Sequence, residues 1–320
     1  MWKKNKILAL IVVFLFAFCI ARDIFIKSLI GSVAGSVTGA PTRIGGFSLS
    51  VIRQTVEMTD FKMYNPHGFP RDILVDIPKI SISWNLGALL KGKIHLKEID
   101  FELKEVGMTE NEEGKLNVDS LKITEDKKAG TLEKEATKPA KELAIQIDLV
   151  NLAIGRIVSK DYSVKGPPAI KVYEVNLKKS YKNITSVQQL VALIISEPLK
   201  AAGIRGLKVY AASMLAGVAA MPVAAVFTFA GKDYTQASFD VTTDKAYNTG
   251  LEVLKQMGAV RRENKTGGVI SAEVSGAKVT FRLKKLNDAS TEITISARKL
   301  GLPKPEVASG VIYQITDRLK

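Results

Sequence analysis

The spacing of hydrophobic and polar positions changes along the chain. Ile7 to Ala21 carries no charge, with Lys3, Lys4 and Lys6 before it and Arg22, Asp23 and Lys27 after it. From Ile24 to Val37, Ile26, Leu29, Ile30 and Val33 recur at helical spacing, and Gly31, Gly35, Gly39 and Pro41 bring that helix to an end. Over residues 42 to 121 the period becomes 2. Ile80, Ile82 and Trp84 alternate with Ser81 and Ser83. Val56 and Met58 alternate with Glu57 and Thr59, after which Phe61 and Met63 take the opposite parity. Ile94 and Leu96 are followed by Ile99, Phe101 and Leu103, again with a switch. A change of face within a strand predicts a bulge or sharp bend, as a strongly curved sheet needs. Asn65-Pro66-His67-Gly68 is a turn, and Asn85 to Leu90 a short helical connection.

Residues 122–142 hold alternating lysines and acids with almost nothing to bury, a charged insertion in flexible or frayed-helical form. Alternation resumes at Ile145, Ile147 and Leu149, and further strands run from Ile154 to Tyr162 and from Ile170 to Leu177. The sheet is thus expected to continue across the insertion. Ser186 to Leu199 is amphipathic, with Val187, Leu190, Val191, Ile194 and Ile195 on one face, and Pro198 and Gly203 are expected to break it. Val209 to Phe229 is uncharged but rich in Ala, Gly and Ser, with Pro222 inside it. It is read as a helix against the sheet or at the membrane surface, a second membrane span being the alternative.

From residue 230 the pattern reads strand, helix, four strands, helix. Tyr247, Leu251, Leu254 and Met257 share the first helix face, and Val307, Val311, Ile315 and Leu319 the second. The whole is an α+β chain in four parts. Residues 1–41 form a membrane helix and juxtamembrane helix. Residues 42–182 form a curved, mostly antiparallel β domain with helices, interrupted at 122–142. Residues 183–229 hold the amphipathic and Ala-rich helices, and 230–320 a small α+β sandwich.

Composition narrows the reading. The chain has 320 residues, long enough for about two domains. Its one cysteine, Cys19, lies in the apolar amino-terminal run, so no disulfide framework or thiolate metal site is expected beyond it. Lysines in front of an apolar helix favour insertion with the amino terminus in the cytoplasm. The run covers about 22 Å at the helical rise of about 1.5 Å per residue, short of a ~30 Å hydrocarbon core. Lys6 and Arg22 extend it by snorkelling. An uncleaved single-pass anchor is the reading taken, with a cleaved signal peptide as the alternative; both export the remaining chain. The net charge of +14 suits an anionic membrane face, or plain solubility, better than nucleic acid, because the lysines are dispersed.

The stretch Gly39-Ala40-Pro41-Thr42-Arg43-Ile44-Gly45 after the anchor, then Asp60 to Phe69 around Asn65-Pro66-His67-Gly68, resembles the amino-terminal part of the bacterial AsmA-like proteins. So do Asn85 to Ile99 and Asn111 to Leu121, with Glu113-Gly114-Lys115-Leu116-Asn117. The resemblance covers roughly the first 120 residues. It implies an inner-membrane protein with a periplasmic, groove-forming β structure, associated with envelope lipid homeostasis and phospholipid movement. Large members carry many repeats, and this chain has room for few. Residues 240–258 and 267–283 are similar to a small uncharacterised domain of bacterial lipoproteins, which implies a fold and no activity.

Motifs for phosphate loops, nucleophile elbows and zinc helices are absent from the sequence, and His67 and His95 have no neighbouring companion in the chain. Carboxylates alternate with apolar strand residues or sit at turns, the placement of a solvated face. No enzymatic activity, metal or cofactor is expected. Two functions remain: lipid binding or passage at the inner membrane, and a structural adaptor that docks an envelope partner through residues 230–320. The apolar side chains Val56, Ile80, Ile82, Trp84, Ile94, Leu96, Ile99 and Phe101 exceed what one curved sheet covers by itself. Either helices cover them or part of the face receives acyl chains. The topology is testable with export-dependent reporters fused after Lys141 and after Lys320. Both fusions are expected to be active; a silent second fusion would make Val209–Phe229 a membrane span.

Overall fold

The computed structural model describes residues 26–28, 30–122, 145–164, 166–204 and 234–319. The Ile7–Ala21 run, the Val209–Phe229 stretch and most of the charged insertion lie outside the described residues. Among those described, no helix is long and apolar enough to cross a membrane. The fold is α+β with two mostly antiparallel sheets.

The first sheet contains β1 (Thr42–Ser50), β2 (Thr55–Tyr64), β3 (Ile73–Trp84), β4 (Ile94–Glu110), β5 (Ile145–Asp161) and β6 (Ala169–Ile184), side by side in chain order. Neighbours are antiparallel except β4 and β5, which run parallel from Ile94↔Ile145 to Glu110↔Asp161. Alternation shows that a strand exists but not which way its neighbour runs, so this pairing has no signature in the sequence. Residues 30–38 form α1 at the β1 edge, Leu86–Leu89 form α2, and Val187–Ala201 form α3. Asn85 caps α2, its side chain accepting from Ala88 N at 3.1 Å. The expected break at Pro198 does not occur: α3 runs through it to Ala201. Proline stands in the last turn, where it removes one terminal hydrogen bond rather than a central one.

The parity switches prove to be aligned from strand to strand. The ladders skip Gly45 opposite Asp60, Asp60 opposite Pro78, and Lys104 opposite Gly155. Between β5 and β6 the register slips past Gly155, leaving Val175 and Asn176 between the paired Glu174 and Leu177. A crease thus crosses the sheet at Gly45, Asp60, Pro78, Lys104, Gly155 and Asn176. Asp60 and Asn176 take positive φ (53° and 45°), which Asp and Asn tolerate better than most residues. A second, shorter line skips Lys97 opposite Asp148 and includes Asn183 at φ 59°.

On one side of the main crease Met58, Ile80, Phe101, Leu152 and Ile154 enter the core; on the other Phe61, Ile77, Val106 and Ile157 do. Leu193, Ile195 and Leu199 of α3 cover this face from the β5–β6 side, and Ile30, Ala34 and Val37 pack on it from α1.

The second sheet joins β7 (Tyr234–Phe239), β8 (Gly258–Asn264), β9 (Val269–Val274), β10 (Ala277–Lys285), β11 (Thr291–Lys299) and β12 (Leu302–Pro303). Helices α4 (Thr243–Met257) and α5 (Pro305–Leu319) pack on its apolar face, with Tyr247, Leu254, Phe281, Ile295, Val311 and Ile315 buried among them. Gly250 lets α4 approach the Phe281 ring; a Cβ there would lie 2.4 Å from it.

At the crease, a Cβ on Gly155 would stand 2.5 Å from the Lys104 carbonyl oxygen, too close for any side chain. Gly155→Ala is expected to lower stability by about 1–3 kcal/mol, against the ~0.4–1 kcal/mol gain this exchange gives at unstrained sites. Urea unfolding followed by Trp84 fluorescence checks it; an unchanged or raised midpoint would contradict the crease.

Candidate functional site

The eight candidate residues share one face at the hairpin end of the first sheet. Val56 pairs with Ile82 and Ile82 with Ile99; Ile80 pairs with Phe101; Trp84 pairs with Leu96. Ile94 and Leu96 then adjoin Ile145 and Ile147, and Ile99 and Phe101 adjoin Val150 and Leu152. The β5 residues were not among the candidates, because the parallel pairing that brings them in is invisible in the sequence. Ile80, Trp84, Ile99 and Phe101 are buried. Val56, Ile82, Ile94 and Leu96 are only half-buried. The face is therefore closed core near the main crease and more open toward its hairpin end. Trp84 lies at that end, and its buried Nε1–H has no hydrogen-bond partner among the described residues. An unmet buried donor costs roughly 1–3 kcal/mol.

Where α3 crosses β6, the buried carboxylate of Glu197 meets Lys179 at 2.9 Å and Lys200 at 3.0 Å. Burial pushes its pKa up, yet Tyr181 and the two lysines together hold it below the ordinary carboxylate value. This pairing anchors α3 over the apolar face.

The opposite face is polar. Register places Arg43, Lys62, Asp76, Glu105, Arg156 and Glu174 opposite one another, forming a row across all six strands. Asp76 and Glu105 are buried, at 5% and 7% exposure. This corrects the expectation that the carboxylates lie on a solvated face: α5 of the second unit packs against this side. Gly310 of α5 sits on the β6 backbone, where a Cβ would stand 2.2 Å from the Ile170 carbonyl oxygen. Val158, Ile170 and Val172 form a small apolar patch against Met257 and Tyr313.

Arg156 donates through Nε and Nη2 to Glu105 Oε2 at 3.1 and 2.9 Å, and its guanidinium lies 5.0 Å from the Tyr313 ring centroid. The Tyr313 hydroxyl donates to Glu105 Oε1 at 3.4 Å. Burial, then the Glu105 and Asp72 carboxylates, push the Tyr313 pKa well above its usual value, so the hydroxyl stays protonated and able to donate. Lys104 pairs with Asp76 at 3.3 Å, and Lys160 with Asp72. Asp76, Lys104, Glu105, Arg156 and Tyr313 line a polar cavity of about 240 Å³ between the units. Farther along the same face an open groove of about 1030 Å³ is lined by Asp100, Glu102, Asn151 and Ser180 among others. Asn151 donates to Glu98 and Asp100 and accepts from Ser180.

Two of the motifs that carry the sequence resemblance converge at the far end of the sheet. Asn117 Nδ2 donates to Asn65 Oδ1 at 2.7 Å and to the Gly107 carbonyl at 3.0 Å. Asn65 donates to the Pro70 carbonyl, and Asn111 to that of Gly68. Asn65-Pro66-His67-Gly68 and Gly114-Lys115-Leu116-Asn117 thus tie two loops together through buried amides. His95 Nε2 lies 2.7 Å from Asp148 Oδ2, which, with Gln146, holds the Asp148 pKa below its usual value. Among the described residues no group of three His, Cys, Asp or Glu gathers to hold a metal. No protein-family model matches the chain, and no curated protein matches it.

The Gly310 contact gives a sharp test. In a free helix Gly→Ala favours folding by about 0.5–1 kcal/mol. Here Gly310→Ala is expected to separate the two units. Hydrogen–deuterium exchange should rise at least fivefold in residues 169–176 while residues 269–297 stay protected. Unchanged exchange at β6 would refute the packing.

Proposed function

We propose that the chain is a membrane-anchored protein of AsmA-like type that binds or passes phospholipid in envelope maintenance. In this reading the Ile7–Ala21 run holds it in the inner membrane, with the bulk of the chain in the periplasm. The observation that carries the reading is the hairpin end of the apolar face. Val56, Ile82, Ile94 and Leu96 are half-buried there, beside an indole N–H that has no partner among the described residues. Aliphatic surface of this kind gains about 25 cal/mol per Å² when an acyl chain covers it. The Trp84 N–H offers a hydrogen bond to an ester or headgroup oxygen. The closed part, around Ile80, Ile99 and Phe101, serves as the floor that keeps the sheet in shape.

The adaptor reading has its own support. Leu300, in the turn between β11 and β12, and Leu302, the first residue of β12, are 96% and 67% exposed, an apolar foothold for an envelope partner on the carboxy-terminal unit. The lipid reading is preferred because its residues are contiguous over three strands.

Native mass spectrometry of gently extracted protein tests it. Wild-type protein should carry phospholipid. Combined Ile82→Asp and Leu96→Asp should leave the chain folded and remove that lipid at least tenfold. Phe101→Asp, in closed core, should cost more than about 4 kcal/mol and unfold the first unit. Wild-type protein without lipid would overturn the reading.

A further inference from the structure

Two loops meet at the end of the first sheet where the apolar face opens. One is the β1–β2 turn, residues 51–54, and the other is α2 with Leu90. Gln54 joins them: its carbonyl accepts from Trp84 N at 2.9 Å and its side-chain Oε1 from Leu86 N at 3.2 Å. This junction presents large aliphatic side chains to water. Ile52 is 96% exposed and Leu90 81%, with Val51 and Leu89 about half exposed beside them. Scattered exposed aliphatics need no explanation, but four on two bonded loops form a patch. Arg53, Lys91 and Lys93, all exposed, flank it in sequence.

The direction of the chain adds a second observation. Lys27 Nζ donates to the Gly45 carbonyl at 2.7 Å, and Thr42 Oγ1 donates to that of Gly31 at 3.0 Å. The helical residues 26–28 and 30–38 therefore run antiparallel to β1. Followed backward to residue 26, the described chain heads toward the Val51–Ile52 end; the uncharged Ile7–Ala21 run precedes it in the sequence.

We propose that the Val51–Ile52 and Leu89–Leu90 loops form a tip that inserts its aliphatic side chains into the headgroup region of an anionic bilayer. Arg53, Lys91 and Lys93 face the lipid phosphates. Apolar side chains with basic neighbours suit the bilayer interface, because burial and electrostatic attraction act at the same depth. Basic residues near an anionic surface add an attraction that fades within a Debye length. The tip sets the open end of the apolar face against the membrane. It rests on the membrane-anchored reading and not on lipid binding by the face.

The test uses the full chain with Cys19→Ser, reconstituted in vesicles of phosphatidylcholine with phosphatidylglycerol. An environment-sensitive fluorophore is placed at Ile52→Cys, Leu90→Cys or, as control, Leu302→Cys. The first two probes should shift to the blue and be quenched by spin-labelled lipid, while the third stays quenchable by iodide. Charge reversal at Arg53, Lys91 and Lys93 should lower lipid quenching at least threefold. Protein that floats with vesicles but keeps iodide-quenchable probes at 52 and 90 overturns the tip and leaves the anchor standing. A chain that does not float overturns both. Lipid-quenched probes on protein that carries no phospholipid uphold the tip and overturn the lipid-binding face.

Discussion

The crease across the first sheet is the constraint on which the rest of the structure depends. In an unbroken strand residues two apart stay on one face. Ile99, Phe101 and Leu103 point into the core, so Glu105 would follow them there. The skipped pair at Lys104 and Gly155 resets the alternation, and Val106 and Ile157 enter the core instead. Glu105 and Arg156 are thereby turned to the other side. The shift is cooperative, because one strand cannot change phase while its neighbours keep theirs without losing its ladder. Glycine, proline, Asp and Asn recur along the line because each helps it: no Cβ, no N–H, or tolerance of positive φ.

Once turned outward, the charged row meets the second unit. Along it Arg156 pairs with Glu105, Asp76 pairs with Lys104 and Lys62 with Asp60, and Tyr313 closes over the Arg156–Glu105 pair. Buried ion pairs of this kind give little net stability but penalise any other arrangement, since removing one partner strands the other charge. The row thus specifies how α5 lies on the sheet, while Gly310 and the small apolar patch supply close contact. The two sides of one sheet are in this way given different work: apolar side chains face α1 and α3, and charges face α5.

The strands, helices and inward-facing residues of the carboxy-terminal unit were legible because each is written in local spacing: Ile270, Ala272 and Val274, or Val307, Val311 and Ile315. The changes of phase at Met58–Phe61 and Leu96–Ile99 were legible for the same reason. That the changes line up from strand to strand was not, because alignment is a property of register and register is non-local. The parallel pairing of β4 with β5 was hidden likewise, and with it the contribution of Val150 and Leu152 to the apolar face. Burial of Asp76 and Glu105 had no signal, since the helix that covers them lies some 200 residues away in sequence. The candidate face emerged as a set because its eight members lie on three adjacent strands. Its division into closed and open parts depends on how far α1 and α3 reach.

The position of α5 in the chain has a consequence for how the protein is made. It follows every other described element in the sequence, and synthesis runs from the amino terminus. The first sheet is therefore complete, with its charged side exposed, before Tyr313 emerges. A largely charged surface is well suited to that interval: it stays hydrated, and its apolar part is confined to Val158, Ile170 and Val172. A hydrophobic docking surface of the same size would be an aggregation hazard for as long as the last helix was missing.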